Sequence, residues 1–473
     1  MSISFRVKRL IFTLLFLCAN SSYAQQYSLY NTRTLFDSFE NPSQKAFQPD
    51  SSRKYAFNFF IPTIGFNAAL GGPAVKTFNS ILVDDEINAS GLVLGKNKTS
   101  VAFAHANTYL LMLRVYRSIY TNQEVGLSWQ VRSDNQITFS NESIAIFDNF
   151  RLFGQGNYSN VFNDKGYSQN YHQISLTFRK DYNRQLGMGM KVSYLSGIAY
   201  NGLRINSSSL SINTNADSFN ASIQGKYRTT FLYDEEFKKK SFFPAFKNPG
   251  MAISASMNYH FPKGWYMLAN LKDVGFIKWN KKSYLYSLDR NVTIDKASDD
   301  DAGDRLADEL NFYSDYAQEG FISPMDGKAE VLINKNLGFY QPNLLLSKNL
   351  FHRGADVALM NNLTYRSLNF GFSTVYNTSN ILQVGSQFMV KSPNTEFYIG
   401  SDQLYKGVQE LKALIRDDAS IFKGYPGASF YIGFSAKFGY IIEHPQNANR
   451  IPHFNTGGGT FIERLLRKIG ISF

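Results

Sequence analysis

Residues 427–440 read Gly-Ala-Ser-Phe-Tyr-Ile-Gly-Phe-Ser-Ala-Lys-Phe-Gly-Tyr. Successive side chains of a β-strand point to opposite faces, so the stretch divides into two rows. One row holds Ala428, Phe430, Ile432, Phe434, Ala436, Phe438 and Tyr440. The other holds Gly427, Ser429, Tyr431, Gly433, Ser435, Lys437 and Gly439. The run is longer than the ~9–11 residues a tilted strand needs to cross a bilayer.

The same period recurs along the chain. In 124–132 the rows are Val125, Leu127, Trp129, Val131 against Glu124, Gly126, Ser128, Gln130, Arg132. In 219–228, Phe219, Ala221, Ile223, Gly225 and Tyr227 alternate with Asn220, Ser222, Gln224, Lys226 and Arg228. In 251–261, Met251, Ile253, Ala255, Met257, Tyr259 and Phe261 oppose Ala252, Ser254, Ser256, Asn258 and His260. Less pure alternation runs through 54–61, 99–116, 171–180, 186–200, 208–213, 265–279, 337–348, 355–366, 368–377, 381–391 and 396–402.

Two structures produce such a pattern. In a soluble sandwich the apolar row packs on a second sheet. In a membrane barrel it meets lipid, and the polar row lines the interior. Strand length favours the barrel. So do apolar rows that carry or end in Trp129, Tyr259, Trp265, Trp279 and Tyr440, read as a membrane girdle. The polar rows are built of Gly, Ser, Asn and Gln rather than surface Lys and Glu. The expected fold is all-β: a closed antiparallel transmembrane β-barrel over 53–440, of about 14 strands (range 12–16) and even in number. The polar segment 180–185 and Pro262-Lys263-Gly264 are read as hairpin turns.

Composition agrees with this class. The chain has 473 residues, 18% charged, with 41 Phe and 29 Tyr and a mean hydropathy of −0.26. Few charges and many aromatics argue against disorder and coiled coil. No apolar run after residue 24 approaches 18 residues, so no transmembrane helix is expected. Residues 1–24 read as a cleaved signal peptide: Arg6, Lys8 and Arg9, then the apolar run 10–19, then Ser22-Tyr23-Ala24. Its removal lowers the net charge from +12 to +9 and takes away Cys18, the single cysteine. Export to the outer membrane is the expected location.

Several segments break the strand pattern. Within an N-terminal segment, 25–52, residues 31–41 read as a short helix stopped by Pro42. Residues 141–153 and 403–418 carry apolar residues at helical spacing and are expected either to narrow the lumen or to fold over a rim. Residues 287–336 read as a non-strand acidic loop insertion. In it Asp299, Asp300, Asp301 and Asp304 are only a weak cation candidate, because Gly303 falls one place early for an EF-hand and no Glu is correctly spaced. A solvated loop is the expectation there. Residues 441–473 read as a periplasmic linker and a basic amphipathic helix, 461–469, opened by a Thr460/Glu463 capping box. Arg464, Arg467 and Lys468 on its polar face are the expected tail contact with anionic membrane, with a periplasmic or surface protein, or with the barrel's own rim.

No catalytic signature is present. The histidines (105, 172, 260, 352, 444 and 453) show no metal-ligand spacing, and there is no phosphate loop, dinucleotide fingerprint or nucleophile elbow. Ser256 and His260 share a row, but four residues at ~3.3 Å rise stand ~13 Å apart. No cofactor, metal or nucleic-acid partner is expected. Lys238-Lys239-Lys240 directly follows the acids Asp234-Glu235-Glu236, and basic residues at barrel rims meet lipids and lipopolysaccharide.

The stretches 25–31, 40–43, 55–62, 191–197, 248–253 and 273–279 resemble an uncharacterised family of Bacteroidota outer-membrane β-barrels. That family is broadly similar to the long-chain fatty-acid transporter class. The resemblance implies fold and location and brings no site residue with it. The expected function is a non-enzymatic channel or transporter for a small ligand, hydrophobic ones included. The alternative is a scaffold that anchors a surface, secretion or gliding-type assembly through its loops and tail.

Overall fold

The computed structural model describes residues 27–47, 53–84, 87–118, 122–231, 243–299, 301–310, 316–352, 354–416, 418, 421 and 423–440. In chain order the strands begin with β1 (Arg53–Phe57), β2 (Thr63–Gly71), β3 (Thr99–Ser118), β4 (Gln123–Ser140) and β5 (Gly156–Ser159). Next come β6 (Lys165–Asp181), β7 (Leu186–Asn213), β8 (Ser218–Thr229), β9 (Pro249–His260) and β10 (Trp265–Trp279). They continue with β11 (Tyr284–Asp295), β12 (Tyr316–Gln318), β13 (Phe321–Pro324), β14 (Lys328–Lys335) and β15 (Tyr340–Asn349). The last are β16 (Ala355–Tyr365), β17 (Leu368–Asn377), β18 (Ile381–Lys391), β19 (Thr395–Ser401) and β20 (Gly427–Tyr440).

The wall is a closed antiparallel ring of fourteen positions. β1 and β2 share the first, followed by β3, β4, β6, β7, β9 and β10. The second half runs β14 to β20, and β20 pairs back onto β1 and β2. Closure leaves no sheet edge, which is the condition for a sheet to cross lipid. Arg53 pairs with Tyr440, and that end is termed proximal. The Asn183 side chain closes one proximal turn by accepting from Gln185 N (2.8 Å) and Leu186 N (2.7 Å). Lys263 (φ 60°) and Gly264 (φ 78°) close another. Both are turns read from the sequence.

Exposure along the strands is inverted relative to a soluble protein. Leu176 on β6 is 63% exposed, whereas its neighbour Ser175 is 0% exposed. Met190, Ile253, Leu346, Leu359 and Phe372 continue the apolar band around the ring. Leaving such a band in water costs about 25 cal/mol per Å², so the outer surface belongs in acyl chains.

The girdle residues divide. Trp265 is exposed at the proximal start of β10, and the Tyr259 hydroxyl donates to Gln185 Oε1 (2.9 Å) at the same end. Trp129 is half-buried on the outward row, donating from Nε1 to His172 Nδ1 (3.3 Å). Tyr440 is the last residue of β20. Trp279 is a correction: it is 1% exposed and donates to Ser323 Oγ (2.8 Å) inside the barrel. Trp265 and Trp279 share a parity, but a β-bulge falls between Leu271 and Val274. One extra residue flips every side chain beyond it to the other face.

Beyond the ring, β8, β11 and the distal halves of β7 and β5 form an extension with its own core. Ile212, Phe219 and Ile294 align across three strands, as do Leu210, Ala221 and Val292. Helices α3 (Asn141–Asp148) and α4 (Ala302–Glu309) cover this face, through Ala145, Ile146, Ala302 and Leu306. The apolar row of 219–228 therefore packs as in a soluble sandwich instead of meeting lipid. The non-strand reading of 287–336 is likewise corrected, since β11 runs to Asp295 and α4, β12, β13 and the whole of β14 follow. Arg305 pairs with Asp301 (3.1 Å) and Asp299 (3.9 Å) and ties them to the carbonyls of Asp295 and Lys296. Asp300 lies outside the described residues.

Residues 403–418 do form a helix, Leu404–Arg416, but it does not fill the lumen. It packs by Ala413 on Val83, the last residue of helix α2 (Val75–Val83), and leaves Tyr405, Leu411 and Ile415 exposed. Residues 1–26 and 441–473, with the signal segment, Arg464, Arg467 and Lys468, lie outside the described residues.

Candidate functional site

The lumen is filled from within by the chain's own beginning. Thr34 accepts from Asp37 N (3.2 Å) and caps the helix α1 (Leu35–Glu40), and Pro42 follows it. The sequence places this helix ahead of the first strand. In the folded protein, residues 27–47 thread the barrel as a plug, almost wholly buried. Gly189 of β7 has no side chain because a Cβ there would overlap the Pro42 carbonyl.

Polar bonds hold the plug on every side. Tyr30 OH donates to Glu330 Oε1 on β14 (2.7 Å), and Asn31 donates to Asn343 on β15 (2.9 Å). Lys391 Nζ on β18 donates to the carbonyls of Thr32 (2.7 Å) and Arg33 (2.8 Å), and Leu35 N donates to Glu396 on β19 (2.9 Å). Glu40 accepts from Tyr109 OH on β3 (2.6 Å) and pairs with Lys272 on β10. The Ser43 carbonyl accepts from Arg179 Nε on β6 (2.9 Å) and Asn258 Nδ2 on β9 (2.6 Å). Ser43 N donates to Ser256 Oγ (2.6 Å), so Ser256 serves the plug and is not set against His260. Phe36 and Phe39 pack against Tyr109 and Phe47 against Tyr116, and Leu29 and Leu35 join the same apolar cluster with the wall.

The β10 bulge organises the charges. Asp273, at φ 49°, turns inward together with Lys272. Asp273 pairs with Arg132 on β4 and Lys191 on β7 (3.0 Å), and accepts from Gln173 (3.0 Å) and Ser254 (3.2 Å). Glu40, Asp273 and Glu330 thus face Lys272, Arg132 and Lys191, a balanced buried set. Nearer the distal end, the Ser323 hydroxyl on β13 reaches Gln169 Oε1 on β6 (2.5 Å), and His352 stacks on Tyr167 at 4.1 Å. The plug and these wall-to-wall contacts both cross the lumen. Arg132 and Lys437 were visible on the polar rows as charges among Ser, Gly and Gln. Their partners Asp273 and Glu396 were not, because those lie far away in sequence.

Two plug carboxyls titrate in opposite senses. Burial raises Asp37 from 3.8 to about 6, against the pull of hydrogen bonds from Asn41 and Arg33 N and of the Lys391 charge. Burial also works to raise Glu40, but Lys272, with Lys191 and Arg132, outweighs it and lowers the group from 4.5 to about 2. Stability from Asp37 is full below its unfolded value and is lost as pH rises through about 6. Stability from Glu40 is full above its unfolded value and is lost as pH falls toward about 2. Docking of the plug is expected to be tightest near about pH 4 and to weaken up to about pH 6. Solute flux into proteoliposomes should rise between these values, and Asp37→Asn should flatten the rise. A flat wild-type profile would count against the assignment.

Outward apolar rows, a closed ring and a self-supplied polar plug define a plugged transmembrane β-barrel. Residues 46–402 match the family of unknown function DUF5723, and the chain belongs to that family. Among solved structures it is similar to a TodX deltaS2S3 mutant, a monoaromatic hydrocarbon channel, at 7% identity and TM-score 0.44, covering 89% of this chain and 96% of that one. It is similar to the Ralstonia pickettii toluene transporter TbuX at 8% identity and TM-score 0.37 (82% and 90% covered). It is also similar to the Pseudomonas putida toluene transporter TodX at 8% and 0.30 (88% and 94%). A comparison with curated proteins returns no match.

Proposed function

We propose that this protein is a non-enzymatic outer-membrane channel, closed by its own N-terminal segment, that passes or holds a small ligand, hydrophobic ones included. The observation that carries this reading is the plug's attachment. Residues 27–47 are held by discrete hydrogen bonds and ion pairs to the wall, which water can replace one by one as the segment leaves. A second feature supports a route for apolar ligands. The first wall strand leaves its ladder at 59–62, after Asn58 has bonded Met112 of β3, and there Phe59 (φ 51°) and Phe60 (φ 58°) turn out and Phe60 is exposed. Liposome swelling or conductance of the purified protein tests the reading. Flux that stays at background both for the intact chain and for a chain with a loosened plug would sink it. Electrophoresis of the membrane fraction with and without boiling tests the location, since a folded barrel shifts mobility on heating.

The distal extension favours a second reading, a scaffold, because an independently cored body standing on the wall offers a docking surface. A pull-down lost on deleting 441–473, from a protein without conductance, would decide for it.

A further inference from the structure

On the distal side of the plug, donors far apart in sequence converge. His105 on β3 pairs directly across from Asp134 on β4, and Asp326 enters from the connection between β13 and β14. Each offers a ligand atom, and these atoms all lie within 4.8 Å of one another. His105 Nδ1 stands 3.5 Å from Asp134 Oδ1. Donors around a tetrahedral ion with bonds of ~2.0–2.1 Å are themselves about 3.4 Å apart, so this pair is already at chelating distance.

One of the two carboxylates is under-satisfied for its burial. Asp326 is 6% exposed, and its Oδ1 has no hydrogen-bond partner. Asp134 is 2% exposed, and the neighbouring guanidinium of Arg132 is engaged by Asp273. The Tyr171 hydroxyl donates to Asp134 Oδ2 (2.9 Å), an orienting contact of the kind that fixes a ligating carboxylate. A second imidazole lies nearby. His352, in the turn between β15 and β16, has a buried Nε2 without a hydrogen-bond partner, and its electrostatic neighbours are Asp326, Asp134 and His105. His105 also faces a cavity of about 500 Å³, its open mouth included, lined by Tyr27, Asn67, Lys328 and Gln383 among others. An ion therefore has a way in.

We infer that His105, Asp134 and Asp326 form a binding site for one divalent transition-metal ion in the distal lumen, with His352 beside it. An imidazole nitrogen with two carboxylate oxygens suits zinc and its first-row neighbours, whereas calcium and magnesium favour oxygen ligands alone. The ligands come from β3 and β4 on one side of the ring and from the connection into β14 on the other. The bound ion would staple opposite walls across the passage. The inference stands apart from the transport reading, because it concerns binding and not flux.

Titration of the full-length, detergent-solubilised protein with zinc at pH 7.5, followed by calorimetry, tests it. One equivalent is expected to bind, with affinity at least about 10-fold weaker in Asp326→Asn and in His105→Ala. Cobalt should give a visible absorption band characteristic of four-coordinate nitrogen and oxygen ligation, lost in the same variants. Zinc should also raise the temperature of the heat-induced mobility shift in the wild type alone. Both variants should keep the unheated, fast-migrating band, which shows that the barrel has formed. No stoichiometric binding, binding unchanged in Asp326→Asn, or a preference for calcium would overturn the site.

Discussion

Replacing Glu40 by alanine is expected to release the plug and raise solute flux through the barrel by about two to three orders of magnitude. Glu40 is the plug's one charged anchor to β10, and it also accepts from the Tyr109 hydroxyl. Its removal leaves the Lys272 ammonium buried without its nearest counter-charge. Removing one partner of a buried ion pair costs about 3–5 kcal/mol, and each 1.36 kcal/mol is a factor of about ten in the docked population. Glu40→Gln keeps the shape and an acceptor, and should fall between wild type and alanine. Conductance in planar bilayers reads the effect directly. A Glu40→Ala protein as silent as wild type, with the unheated band intact, would show that the wall-to-wall contacts alone close the passage.

Asp273→Ala should weaken the barrel itself, by about 3–5 kcal/mol. The change strands two buried cations, Arg132 and Lys191, and removes an acceptor for Gln173 and Ser254. It also places alanine at a left-handed backbone position (φ 49°) that Asp, Asn or Gly tolerates better. The expected signature is a lower denaturant midpoint for the heat-modifiable band. Adding Lys191→Met should recover part of the loss, because it takes away one of the stranded charges. A midpoint within about 0.5 kcal/mol of wild type, the size of an ordinary surface substitution, would mean that the bulge carries no such burden. Asp273 and Glu40 share neighbours, so their effects are not expected to add.

Residues 124–132, 251–261 and 427–440 show how much of the wall was legible. Each puts its apolar row outside and its polar row inside, as alternation alone implies. The segment 219–228 has the same alternation and the opposite environment, because its apolar row is buried beneath α3 and α4. Period-two patterning states that two faces differ. It does not state which solvent each face meets. The misplacement of Trp279 has a sharper cause, a single extra residue at Lys272–Asp273 that no hydropathy pattern marks.

The plug and the distal ligand cluster were harder to read still. Asp37 and Glu40 look like the solvated face of a short surface helix, and only enclosure by the ring turns them into buried anchors. His105, Asp134 and Asp326 carry no motif spacing, since strand order and not chain order brings them together.

The sequence by itself determined that this chain is built of two-faced strands, because strand period is a local property written residue by residue. Tertiary structure alone decided what fills the lumen, which charges face each other across it, and where buried donors meet. Those depend on ring closure and on bulge positions, which arise from pairings between residues tens to hundreds of positions apart.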